Sequence, residues 1–222
     1  MGKLINRERL AQLKTDRSSD RAAVLEAARK AFLSHSLGEL TPEAIDRMAK
    51  VRQGTASIHF GSLEGLTFHL LREEITSWLD GLGAQVQGGR DSIPPADLAK
   101  LLAAELLQRP LLCRLHSMLP VMADRRTAEM GQVLALETWR LQRFEEIGAL
   151  MDSHCPTLGS GGGFVILRRA YLLAGAVESL ITPPSGLLLA MNNEALAALY
   201  PDAGEELETL LTAVLSGLPL TS

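Results

Sequence analysis

LTPEAIDRMAKVRQGTASIHFGSLEGL, residues Leu40–Leu66, decides the fold. Thr41-Pro42-Glu43 is a strong helix start: threonine caps free N–H groups, proline is tolerated at the first helical position, and glutamate complements the positive end of the dipole. The spacing predicts a short helix ending near Ala49 and another over about Gln53 to His59. Ser62 then caps a long helix running from Leu63 towards Leu82. Ile45, Ala49, Val51 and Phe60 are the apolar positions able to pack three short helices together, and Gly54 would permit close approach to the second helix or to a ligand backbone.

Upstream, Asp20 caps a helix through AAVLEAARKAF to about Ser34, with Val24, Ala27, Ala28, Ala31 and Phe32 on one face. Residues 1–19, with Lys3, Arg7, Arg9, Lys14 and Arg17, read as a mobile arm or a frayed helix. Leu37-Gly38 is a turn. Downstream, Gly81, Gly83, Gly88 and Gly89 read as a break, and Pro94-Pro95 restarts the chain with ADLAKLLAAELLQ. Pro110 begins a helix through LLCRLHSML, and a long helix covers Arg126 to about Ser153. Gly159–Gly163 reads as a linker. Phe164–Ile181 is apolar on most sides and should be buried. A loop with Pro183, Pro184 and Pro201 precedes a last helix over Glu205–Leu218. Nothing reads as a strand, so the fold class is all-α.

Net charge is −4, but it is unevenly spread. Met1–Leu66 carries 11 Lys+Arg against 8 Asp+Glu, and the remainder 11 against 18. A basic head on an acidic body fits a phosphate-backbone reader joined to something else, although chance clustering gives the same excess. Cys113 and Cys155 lie far apart with no disulfide framework or metal spacing, so no metal or cofactor is expected and a reduced cytoplasmic setting fits best. No run reaches the roughly 20 apolar residues of a membrane span. There is no glycine-rich phosphate loop, HExxH or GxSxG, and no catalytic residue is expected.

Leu40–Leu66 resembles the TetR family of transcription regulators. Thr41, Ile45, Ala49, Val51, Gly54, Thr55, His59, Phe60, Ser62, Glu64 and Leu66 match that family's motif without a gap, and Phe32 falls at the family spacing before Thr41. The resemblance implies a three-helix helix-turn-helix domain with a basic arm over residues 1–66 and a helical ligand-binding and dimerisation domain over 67–222. It implies a ligand-responsive, sequence-specific regulator of a double-stranded DNA operator, a repressor released by a small hydrophobic effector, acting as a homodimer. Thr41 would hold a phosphate at a helix terminus. Arg52 and Gln53 would pair with guanine and adenine, and Thr55, Ser57 and His59 would reach bases or phosphates. Thr41 and Ser62 cap helices in any protein, and His59 has an equally good structural reading. The chain departs from the motif at four places: the family tyrosine is Ser57, its lysine Leu63, its serine cap Arg52 and its turn glycine Lys50. The first two normally touch phosphates. Their loss leaves an alternative, a TetR-fold ligand- or protein-binding partner with a degenerate reading head.

Arg109–Met122 also looks like a stretch found in one TetR subgroup. Leu102, Leu106, His116, Met118, Trp139, Phe144 and Tyr171 are the candidate effector-pocket residues, each with ordinary core packing as the plainer account. Phe164–Ile181 and the last helix are expected to pair with their copies, with Ala174-Gly175-Ala176 allowing close approach.

Overall fold

The computed structural model describes residues 2–89, 92–125 and 129–217, with side chains from Arg17 onward except that of Ser185. No strand occurs among them. The first helix, α1, runs Gly2–Ser34. Of the two expectations for this stretch, a mobile arm or a frayed helix, it takes the helical one and forms the first turns of α1, because nothing between Gly2 and Ser34 is a proline or glycine that would stop it. Helices α2 (Pro42–Ala49), α3 (Thr55–Phe60) and α4 (Leu63–Gly88) follow. Val24, Ala28, Phe32, Ile45, Ala56, Phe60 and Leu66 form the buried seam of this head.

Helix α4 continues through Gly81 and Gly83, where a break was expected. A side chain at Gly81 would meet the Glu105 carboxylate and the Arg109 guanidinium at 2.8 and 2.9 Å, and one at Gly83 would meet Ile147 at 3.4 Å. These glycines let α5 (Pro95–Leu107) and α7 (Met130–His154) come close to α4. Helix α6 (Pro110–Ala123) carries Pro120 within it. Residues 126–128 at the expected start of α7 lie outside the described residues.

The Gly159–Gly163 segment is only in part a linker. Helix α8 (Gly162–Ala176) begins inside it, and Gly162 and Gly163 are buried. A side chain on Gly148 of α7 would strike the Phe164 amide nitrogen at 2.6 Å and its Cα at 2.9 Å, so the two backbones touch there. Asp152 of α7 fixes the join by accepting the Gly161 and Gly163 amides at 2.7 and 2.6 Å. The expected helix over Phe164–Ile181 is divided at Val177 into α8 and α9 (Glu178–Ile181). The expected proline loop contains α10 (Ser185–Met191) and a 3₁₀ turn over Glu194–Leu199. The last helix, α11 (Ala203–Gly217), packs on α5. Leu218 lies outside the described residues.

Candidate functional site

In the head, the turn between α2 and α3 is built around Asp46. This aspartate is 1% exposed. Its Oδ2 accepts the Gly54 amide at 2.7 Å and its Oδ1 the Ala56 amide at 2.8 Å. The carboxylate therefore satisfies N–H groups that the first turn of α3 would otherwise leave bare, and ties α3 to α2. Two left-handed residues shape the same turn. Lys50 ends α2 at φ 56°, and Gly54 starts α3 at φ 91°. Nothing of the chain lies within 4 Å of where a Gly54 side chain would begin, so within the head this glycine serves backbone conformation and not a close approach to the second helix.

The expected DNA-reading residues separate into two groups. Arg52 and Gln53 are exposed, but both sit in the turn before α3, because the helix starts two residues later than the spacing predicted. Ser57 and His59 are half-buried on α3, and His59 lies beside Phe60 with ring centroids 6.2 Å apart. Thr41 is exposed, and its hydroxyl caps α2 by accepting the Ala44 amide at 3.1 Å. Thr55 differs from the expectation. It is buried, and its hydroxyl donates to the Arg52 carbonyl at 2.5 Å, so it holds the turn and does not face outward. Ile58, absent from the expected set, is 72% exposed on α3. Its signal was available: an apolar residue between Ser57 and His59 has no place in the Ala56–Phe60 seam. Asp46 also left a signal, an acid on the helix face that carries Ile45 and Ala49.

Arg29 pairs with Glu73 at 2.5 Å and Arg21 meets the His69 ring at 2.6 Å, tying α1 to α4. Burial lowers the pKa of His69. At the foot of α4, the buried Glu64 accepts from Arg125, just beyond α6, at 3.0 Å.

The body holds a cleft of about 480 Å³ between α7 and α8, walled by Leu141, Phe144, Phe164, Tyr171 and Leu172 with Arg140 and Arg168. Of the seven expected pocket residues, Phe144 and Tyr171 line it. Tyr171 is stacked near Trp78 at 6.2 Å, meets Phe144 edge-on at 5.7 Å, and lies 3.8 Å from the His116 ring. His116 is thus one layer behind the cleft wall. Leu102 and Leu106 are wholly buried in the core of α5, and Met118 is buried on α6. Trp139 lies under the Arg72 guanidinium at 4.7 Å, away from the cleft lining. Leu102, Leu106 and Met118 are thus packed in the core and Trp139 is partly buried against it, so none of the four lines this cleft. Gly175 backs directly onto His116, where a side chain would meet the ring at 2.7 Å; the close approach expected for Ala174-Gly175-Ala176 is made here to α6 of the same chain.

Three buried polar atoms in this aromatic layer have no hydrogen-bond partner: Trp78 Nε1, His116 Nδ1 and the Tyr171 hydroxyl. Arg140 stands over the Tyr171 ring face at 4.8 Å. Burial, aided by the Arg140 charge, pushes His116 down to about 4, and burial pushes the Tyr171 hydroxyl up. Both are therefore neutral at pH 7. Cys113 and Cys155 are buried and free, and burial drives the Cys113 thiol up to about 12. Among the described residues no group of three His, Cys, Asp or Glu could hold a metal ion, and no helix is long and apolar enough to cross a membrane.

A family model described as tetracyclin repressor-like, C-terminal domain, matches residues 72–222, more than half of the chain. The chain belongs to the TetR family. No curated protein matches it. The match begins at Arg72, inside α4, so it covers the body, the cleft and the orphaned aromatic layer. The head lies upstream of it and carries its TetR resemblance in its own residues.

Proposed function

We propose that this TetR-family chain is a ligand-responsive, sequence-specific DNA-binding regulator of transcription, a cytoplasmic homodimeric repressor released by a small apolar effector, with residues 1–66 as reading head and 67–222 as ligand and dimer domain. The observation that carries this is the Asp46 clamp, which fixes the α2–α3 turn while leaving Arg52, Gln53 and Ile58 exposed. Arg52 and Gln53 supply the paired hydrogen bonds that distinguish guanine and adenine, and Ile58 meets thymine methyl groups. Thr41 holds a phosphate at the start of α2, beside its capping role. Arg47, Lys50 and Arg17 add exposed positive charge. Two such heads about 34 Å apart read a palindrome, which requires a dimer. The Glu64–Arg125 pair links the end of α6 to the start of α4, a route by which an occupied body biases the head.

One observation favours a second reading, a TetR-fold partner protein without specific DNA binding. Leu63, which replaces the family lysine, is buried, and Ser57, which replaces the tyrosine, is half-buried. Two phosphate contacts are therefore missing. A gel-shift with the DNA upstream of the protein's own coding sequence, at low salt, separates the two readings. A shift lost on Arg52→Ala and Gln53→Ala supports the regulator; no shift at micromolar protein leaves the partner reading.

A further inference from the structure

The two arginines of the α7–α8 cleft are not equivalent. Arg140 pairs with Glu137, one turn earlier on α7, and its guanidinium lies over the Phe144 and Tyr171 rings at 5.9 and 4.8 Å. Its charge is balanced within the cleft. Arg168 is exposed on α8, one turn before Leu172, and makes no ion pair or hydrogen bond among the described residues. With Glu137 and Arg140 cancelling, the cleft carries one uncompensated positive charge on apolar walls. A cation is repelled there. A dianion finds one counter-charge too few, and a neutral apolar molecule leaves Arg168 unanswered.

Leu172 is 59% exposed and Leu141 is also exposed, so the mouth of the cleft presents apolar surface that an apolar body would cover. Deeper in, Tyr171 turns its ring to the cleft beneath the Arg140 guanidinium. The volume, about 480 Å³, falls within the range of small-molecule pockets.

We infer that the cleft takes an amphipathic monoanion, with an apolar body against Phe144, Phe164, Tyr171 and Leu172 and a single carboxylate held by Arg168. The planar guanidinium matches a carboxylate through two parallel hydrogen bonds, while the apolar walls take up the rest of the molecule. This rests on the proposed regulator and narrows its hydrophobic effector to one that also carries a single carboxylate; the binding itself does not depend on DNA.

The test is titration calorimetry on the full-length protein without DNA, using 2-naphthoate, decanoate, methyl 2-naphthoate and 2-naphthylmethylammonium. At least one of the two acids should bind one per chain, roughly tenfold tighter than the ester, and the ammonium should give no signal. Arg168→Gln should weaken that acid by roughly tenfold without changing the ester, and Arg168→Lys should recover part of the loss. Arg168 is exposed, so an unchanged melting temperature of both variants checks that the fold is intact. Acids binding no tighter than the ester, an acid indifferent to Arg168→Gln, or no acid binding at millimolar concentration overturns the inference. A failed gel-shift with intact acid binding removes the DNA-binding reading and leaves this one standing.

Discussion

In the head, the buried Asp46 carboxylate has both oxygens engaged by backbone amides; in the body, Trp78, His116 and Tyr171 each keep a buried polar atom with no partner. Among the described residues, the buried side-chain atoms without a hydrogen-bond partner lie from Trp78 onward. A buried polar atom without a partner costs about 1–3 kcal/mol, so a region that leaves several unmet has given up stability. The head is complete as it stands, as a device that presents a fixed turn must be. In the body's aromatic layer the buried polar atoms are not met in this way, so the two regions differ in how their interior polar groups are satisfied.

The sharpest way to break this contrast is Asp46→Ala. It strips the half-buried Gly54 amide and the buried Ala56 amide of their acceptor and should cost about 3 kcal/mol, seen as a large drop in the denaturant midpoint and loss of any DNA shift. A loss below about 1 kcal/mol would show that water replaces the carboxylate and that the head is not preorganised by it.

Gly148→Ala should come next, at roughly 2–3 kcal/mol, because the new methyl meets the Phe164 backbone, which has no rotamer to escape through. Melting by circular dichroism checks it, and a neutral result would mean that α7 and α8 slide freely.

The third effect concerns pH. His116 has a folded pKa of about 4, below its unfolded value, so between those two values the unfolded chain binds a proton that the folded chain refuses. Stability is full above pH 7 and falls as pH drops towards 4, by up to about 3 kcal/mol from this residue. His69, lowered in the same direction, adds to the slope, so His116→Leu should flatten it in part. An unchanged slope in that variant would place His116 in contact with water.

The smallest change is expected from Tyr171→Phe. Removing a hydroxyl that has no partner should leave stability unchanged or raise it by up to about 1 kcal/mol. A loss of more than 1 kcal/mol would reveal a hidden partner and erase the contrast between head and body.

Much of this architecture is legible in the sequence, because capping and helical periodicity are local. Thr41, Ser62 and the Pro94-Pro95 and Pro110 starts announce α2, α4, α5 and α6 directly. What is not legible is tertiary. Gly81, Gly83 and Gly163 read as breaks or linker, yet they are the places where helices come together, and only the neighbouring helix reveals that. Thr55 reads as a polar reader and is consumed by the Arg52 carbonyl across the turn. The cleft is harder still. Leu102 and Leu106 have the same chemistry as Leu141 and Leu172, and no local pattern says which leucines a core absorbs and which face an opening.

Helix α4 runs unbroken from Leu63, just after α3, to Gly88 in the body, 26 residues and about 39 Å. Gly81 and Gly83 sit near its body end, pressed against α5 and α7 without interrupting it. A rod of that length converts angle into distance: a tilt of about 5° at the body end carries the other end through roughly 3 Å, close to the rise of one base pair. On the proposed reading of DNA, a small tilt of this single helix therefore suffices to shift the head by one nucleotide step.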